Sequence, residues 1–260
     1  MSPLLSLEGV GKRYRRGERS SWLLRDATLE IAAGEVVAVV AMRGQGKTTL
    51  LRIAAGMVAA DEGRVLVGGR PLDGLSDQAH ARLLREQIGL AGRLGPGLDV
   101  QMLDYVAMRL AIGRRSRRRE VRSHAIEALA LVGATRCAER HWEELSDWER
   151  ALVELAQAIA GAPRLLLIDD VLDGLGMRET DELARLVRTL AEDREIAVLM
   201  AVSDPEAALC SHRVLSLADG RLSPMWPLPP LSAEAPAQRL ENVIDFPRSS
   251  EPTLRDARRR

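Results

Sequence analysis

Glu35-Val36-Val37-Ala38-Val39-Val40-Ala41-Met42-Arg43-Gly44-Gln45-Gly46-Lys47-Thr48-Thr49 is the stretch that decides how this chain reads. Its first six residues are apolar and β-branched enough for a strand buried on both faces. The strand runs straight into a glycine loop, and Lys47–Ala55 then reads as a helix ending at Gly56. Glycines let such a loop curl so that backbone N–H groups point inward, at the positive end of the following helix. That suits an anion with several charged oxygens, above all a nucleoside triphosphate. Lys47 then reaches the β and γ oxygens and Thr48 offers its hydroxyl to magnesium. The strict pattern wants glycine where Ala41 stands; alanine keeps the turn if its φ stays negative. The bland alternative is a glycine-rich turn with an incidental lysine. Against it stands a second buried strand far downstream, Arg164–Ile168, ending in Asp169 and placed to hold magnesium through water.

Outward from this loop, short apolar segments alternate with helical ones, as in a sheet flanked by helices. Leu4–Val10 and Trp22–Ile31 read as strands, the second turning at Ala33-Gly34. From about Leu94 to Gly161 the character is helical, arginine-rich and poor in strands. After Asp170 come a helix at about Arg178–Glu192, a strand at Ile196–Val202, a short helix from Pro205 and a last strand near Arg213–Leu217. Beyond Gly220 the composition shifts to Pro, Ser and Ala, which predicts a flexible tail with one docked turn around Val243–Phe246.

Formal net charge is +0, which argues against a general nucleic-acid binder working through a basic surface. Lys12 and Lys47 are the only lysines. Cys137 and Cys210 stand far apart without metal-ligand spacing, which fits a reducing compartment. No apolar run has the length of a membrane span, and the N-terminus lacks a signal pattern. A soluble, cytoplasmic chain is expected, peripheral to a membrane only through other subunits. The run Arg114-Arg115-Ser116-Arg117-Arg118-Arg119 reads as the solvated start of a helix at Glu120–Val132. Trp142, Trp148 and Trp226 show no stacking array for single strands.

With these landmarks in order, the sequence resembles the ATP-binding subunits of ABC transporters from about Leu4 to Leu222. Tyr14 sits where that family stacks an aromatic on adenine, and Leu145-Ser146 where its signature loop begins. Leu165–Asp170 looks like its Walker B strand. Asp204-Pro205-Glu206-Ala207-Ala208 resembles the segment after its switch histidine, and Ala218-Asp219-Gly220-Arg221 its final turn. The resemblance implies an α/β fold of the P-loop NTPase type, an ABC-type ATPase core sheet with an antiparallel β lobe and an inserted helical lobe. It implies an ATP-binding domain at 1–222, with the helical lobe at about 94–161, and a proline-rich tail at 223–260. It implies ATP and magnesium as cofactors, with Thr48 and Asp169 on the metal. Nucleotide contacts would come from Tyr14, Arg43, Gly44, Gln45, Gly46, Lys47, Thr48, Thr49, Arg93 and Ser146. The implied partners are integral membrane transporter subunits and a second ATP-binding subunit, in a head-to-tail homodimer or heterodimer with ATP sandwiched between.

The departures from the family bear on chemistry. Asp170 takes the place of the catalytic glutamate: still a base, but withdrawn by one methylene, and a shift of about 1 Å can cost on the order of a hundredfold in rate. Ser203 stands at the switch histidine and supplies neither a cation nor a proton shuttle near neutral pH. His212 is near in sequence, with nothing to suggest that it takes over. Arg93 replaces the glutamine that senses the γ-phosphate, and Gly176 the aspartate that closes the loop after Walker B. The signature glycines are Asp147 and Trp148, a carboxylate that repels phosphate and an indole that crowds close approach. Ser146-Asp147-Trp148-Glu149 reads instead as a capping box, with Ser146 as N-cap and Glu149 at the third helical position. The expectation is kept binding with slow or absent hydrolysis; the alternative is an inactive scaffold or regulator beside a competent ATPase.

Overall fold

The computed structural model describes residues 3–16, 19–93, 95–111 and 118–226. The first half of the described chain contains β1 (Leu5–Arg16), β2 (Arg19–Ile31), β3 (Val36–Val40), α1 (Lys47–Ala54), β4 (Glu62–Val67), β5 (Arg70–Pro71), α2 (Asp77–Glu86) and β6 (Ile88–Ala91). The second contains α3 (Met102–Ala111), α4 (Arg118–Leu131), α5 (Asp147–Ile159), β7 (Leu165–Asp169), α6 (Met177–Arg194), β8 (Ala197–Val202), β9 (Arg213–Ala218) and β10 (Arg221–Trp226).

A six-stranded sheet in the order β10-β9-β3-β8-β7-β6 forms the core, and a four-stranded sheet, β2-β1-β4-β5, forms the antiparallel lobe. In the core sheet β9, β3, β8, β7 and β6 are parallel, with β10 antiparallel on the edge. The central strands are buried on both faces, so they read as continuous apolar runs whose alternate residues enter different cores. Val36, Ala38, Val40, Leu166, Ile168, Val198 and Met200 face one core, shared with α3 to α6. Val37, Val39, Leu165, Leu167, Ala197 and Leu199 face the other, shared with α1 and the antiparallel lobe. The helical lobe, α3 to α5, therefore closes one face of the sheet and the antiparallel lobe the other. The three-part architecture is the one the resemblance implies.

Local chemistry explains the element boundaries. Ser146 accepts from the Glu149 N–H at 3.2 Å while Glu149 Oε2 accepts from the Ser146 N–H at 3.0 Å, a reciprocal cap that starts α5. Gly34, at φ 77, supplies the turn between β2 and β3. The first lysine is structural: Lys12 Nζ donates to the Ala59 carbonyl at 2.7 Å and Asp61 Oδ1 at 3.0 Å, tying β1 to the segment before β4.

Two parts of the chain differ from the reading of the sequence. Between Gly56 and Arg93 the sequence suggests no element, yet β4, β5, α2 and β6 lie there. Half of β4 is exposed, and α2, amphipathic but mostly polar, buries no residue, so neither shows the apolar run of a core element. Residues 223–226, which the sequence assigns to the tail, belong to β10, where Ser223 and Pro224 pair with Ser216 and Leu215, and residues 227–260 lie outside the described residues. Proline is tolerated there because β10 is an edge strand, where an N–H can face away from the ladder. The docked turn at Val243–Phe246, the terminal arginines and residues 112–117 of the arginine run lie outside the described residues. Arg118 and Arg119, which open α4, are exposed, as in a solvated helix start.

Candidate functional site

Three neighbouring parallel strands end side by side, and the residue that follows each end belongs to the site. β3 pairs with β8 through Val40 opposite Val202, and β7 with β8 through Asp169 opposite Ala201. Ala41, Ser203 and Asp170 follow these ends, which places them together outside the carboxyl edge of the sheet, the usual ligand crevice of open α/β folds. The Ala41 N–H donates to the Val202 carbonyl at 3.2 Å and the Asp170 N–H to the Ala201 carbonyl at 3.1 Å, so both positions are fixed by backbone.

The glycine loop then turns into α1. Gly46, at φ 107, is the N-cap of α1, which has no side-chain cap and no acid in its first turn. Its first N–H groups are therefore left for an external acceptor, with the positive end of the helix dipole behind them. A Cβ on Gly46 would lie 3.0 Å from Leu23 Cγ, so the loop is pressed against β2. Gln45 serves the loop itself: its Oε1 accepts from the Met42 N–H at 3.0 Å.

Lys47 is the buried cation of the site, with 4% of its side chain exposed. Its Nζ donates to the Ala41 carbonyl and to Ser203 Oγ, each at 2.8 Å, and lies 3.6 Å from Asp170 Oδ2. Ser203 Oγ in turn donates to Asp170 Oδ1 at 3.2 Å, bridging the lysine and the carboxylate. Asp170 has φ 50, in the left-handed region that non-glycine residues seldom enter. On the neighbouring position, Thr48 Oγ1 donates to Asp169 Oδ1 at 3.1 Å. Burial pushes the Asp169 carboxyl above its ordinary value; the Thr48 hydrogen bond opposes this and the Asp170 charge adds to it.

Lys47, Thr48 and Asp170 open onto a cleft of about 430 Å3 lined also by Arg43, Gly44, Gly46, Thr49 and Arg93, with Leu23, Met42 and Asp173, whereas Ser203 and Asp169 bond to Lys47 and Thr48 without entering the lining. Two cations guard its mouth: Arg43 Nη2 lies 2.8 Å and Arg93 Nη1 3.4 Å from the same oxygen, Asp173 Oδ2. Most of the residues that the sequence singles out are thus brought together. Tyr14 is not in the lining; it stands on β1 opposite Ser21 and is 47% exposed. Ser146 is not in the lining either, and its hydroxyl caps α5. His212 sits at the opposite end of the sheet, where Nδ1 accepts from the Val36 N–H at 3.0 Å and Nε2 meets Glu192 at 3.1 Å. Asp173 and Leu23 escape the sequence reading. Asp173 lies only three residues after Asp170, but it is the loop geometry that turns it back over the cleft.

A backbone nest at a helix N-terminus, a buried ammonium, and a hydroxyl paired with a carboxylate are the donor set for a polyphosphate. With the parallel sheet and its strand–loop–helix crossing, they define a P-loop nucleoside triphosphatase fold. The family described as ABC transporter matches residues 24–173. The lipoprotein-releasing system ATP-binding protein LolD of Granulibacter bethesdensis is 32% identical over 221 residues, covering 85% of this chain and 96% of that protein. Among solved structures, the ATP-binding cassette MJ0796, seen as a dimer bound to ADP and Pi, is 25% identical with a TM-score of 0.75, covering 84% of this chain and 96% of that one. The cbiO1 protein of Clostridium perfringens, 23% identical with a TM-score of 0.76, covers 86% of this chain and 88% of its own, and shares the fold. The chain belongs to the ABC transporter family, as an ATP-binding domain of that family.

Proposed function

We propose that this chain is the ATP-binding subunit of an ABC transporter-type membrane complex, holding magnesium–ATP between two such subunits and hydrolysing it slowly or not at all. The observation that carries the reading is the meeting of Lys47 and Thr48 in one cleft, with Asp169 hydrogen-bonded to Thr48, beside a catalytic position occupied by Asp170 and Ser203. The residues fit the cofactor. Magnesium is commonly held by one or two carboxylates together with substrate phosphates, and Thr48 with Asp169 is such a hard-oxygen pair. Bound there, the metal would neutralise phosphate charge. The ammonium of Lys47 and the N–H groups of Gly46 to Thr48 would take the phosphate oxygens.

Slow turnover follows from the chain's own groups. The Asp170 carboxylate is one methylene shorter than a glutamate's and is engaged by Ser203 and Lys47, so it stands back from the place of an attacking water. Ser203 brings a hydroxyl where an imidazole would bring a titrating nitrogen. The partners of such a subunit are integral membrane subunits and a second ATP-binding subunit, at the inner face of the cell membrane. Among the described residues no helix is long and apolar enough to cross a membrane. The likeness to a lipoprotein-releasing ATP-binding protein makes that type of complex the first in which to look for membrane partners.

A second reading is a catalytically inactive scaffold or regulator beside a competent ATPase. It is favoured by Asp147, whose largely exposed carboxylate stands in the first turn of α5 where a working signature would leave room for a phosphate. ATP binding and turnover, measured on the chain alone and with its membrane partners, separate the two. Asp170→Glu with Ser203→His is expected to raise turnover on the order of a hundredfold, the scale of one misplaced catalytic group. A flat rate in that double variant, with ATP still bound, would favour the scaffold.

A further inference from the structure

The cluster at the mouth of the cleft is built from three separate loops. Arg43 comes from the loop after β3, Arg93 from the end of β6, and Asp173 from the turn after β7. Both guanidinium groups converge on one oxygen, Asp173 Oδ2, at 2.8 and 3.4 Å. A simple loop tie needs one such contact. Arg43 has 82% of its side chain exposed, so it is not packed in place and its position depends on that carboxylate. Gly174, at φ 88, brings the turn so close to Arg93 that a Cβ there would lie 3.3 Å from Nη2. The turn after β7 thus lies close against the Arg93 guanidinium, which stays 46% exposed. All three side chains line the same cleft as Lys47 and Thr48.

An oxygen of a carboxylate and a terminal oxygen of a phosphate present similar acceptors to a guanidinium, but the phosphate carries more charge and more oxygens. We propose that Asp173 is a built-in competitor for the terminal phosphate, holding Arg43 and Arg93 in reserve, so that the three residues set the preference of the site for a nucleoside triphosphate over a diphosphate. The inference rests on the nucleotide-binding reading given above. A diphosphate, held by the loop and Lys47, leaves both arginines on Asp173. A triphosphate offers its last phosphate group to them, and the Asp173 contacts are exchanged for stronger ones. The carboxylate lowers triphosphate affinity by the strength of the contacts that must be given up, and its single charge offsets part of the charge of the two guanidinium groups.

The test is calorimetric binding of magnesium–ATP and magnesium–ADP to the purified full chain, with Asp173→Asn, Asp173→Ser, Arg93→Gln and Arg43→Gln, each checked for an unchanged thermal midpoint. Removing the competitor is expected to tighten ATP at least tenfold and leave ADP within about twofold, since the two charge-assisted contacts to Asp173 no longer have to be given up. Removing either arginine is expected to weaken ATP on the order of tenfold and spare ADP. If the ratio of ATP to ADP affinity stays at the wild-type value in both Asp173 variants, or if both nucleotides shift together, the cluster is a loop tie and the proposal is overturned. Lys47→Ala separates the two levels of the argument, because it is expected to weaken both nucleotides. Wild-type protein that binds neither nucleotide would overturn the underlying reading, and the proposal with it.

Discussion

Lys47 holds the phosphate cleft together from inside, reaching Ala41, Ser203 and Asp170 at once. Its place and that of Asp169 can be read from local sequence, because a lysine after glycines and an aspartate at a strand end stand out by local pattern. The bridge through Ser203 cannot be read that way. It requires the ends of β3, β7 and β8 to lie level, and residues 156 positions apart meet only through that register. Glu154 is a second case of hidden chemistry. Buried in α5, it accepts from Tyr105 Oη at 3.0 Å and the Gly95 N–H at 3.1 Å, while Arg93, Arg150, Asp147 and Asp173 line the small hollow of about 90 Å3 beside it. Burial raises its carboxyl above the ordinary 4.5, against the hydrogen bonds from Tyr105, Gly92 and Gly95. A raised folded-state value means stability that is full below the unfolded value and is lost as pH rises through the folded one. Glu154→Gln has no charge to bury and accepts from the same donors. It is expected to exceed the wild type in stability at about pH 8, with an advantage that shrinks as pH falls toward the unfolded value. Denaturant titrations across that range check this; an advantage independent of pH would contradict it.

At the scale of elements, α5 shows what a local pattern does settle. The capping box at Ser146 to Glu149 forms as its spacing predicts, and Glu149 is held further by Arg140 at 2.7 Å and Arg136 at 3.4 Å. Burial alone would push the Glu149 carboxyl up, but the Ser146 bonds and the two arginines outweigh it and leave it below its ordinary value. Ser146→Ala is expected to cost about 1 kcal/mol of stability in chemical denaturation, as loss of an N-cap usually does. A cost near zero would mean that the helix start is held by Glu149 and its arginines alone. By contrast, β4 to β6 and the extension of β10 to Trp226 escape local reading. Their residues are short, half-exposed or interrupted by proline, and only pairing with a neighbour makes them strands. The same holds for Trp142, which looks unattached in sequence but packs edge-on against Tyr105 at 6.4 Å.

For the molecule as a whole, ligand binding and folding are coupled through the loops that meet at the cleft. Magnesium–ATP at a hundredfold excess over its Kd is expected to add about 2.7 kcal/mol and to raise the thermal midpoint by roughly 5–10 °C. Lys47→Ala is expected to lose that shift, and an equal shift in the variant would place the nucleotide elsewhere. Local sequence determined the parallel strands, the phosphate loop, the helix that follows it and the aspartate at the end of β7, because each depends on residues adjacent in the chain and on periodicity. The tertiary structure alone decided that Ser203 joins Lys47 to Asp170, that Arg43 and Arg93 share Asp173, and that the other lysine is a lobe tie. Those are contacts between loops brought together by strand register, and no local pattern encodes the distance between loops that lie far apart in sequence.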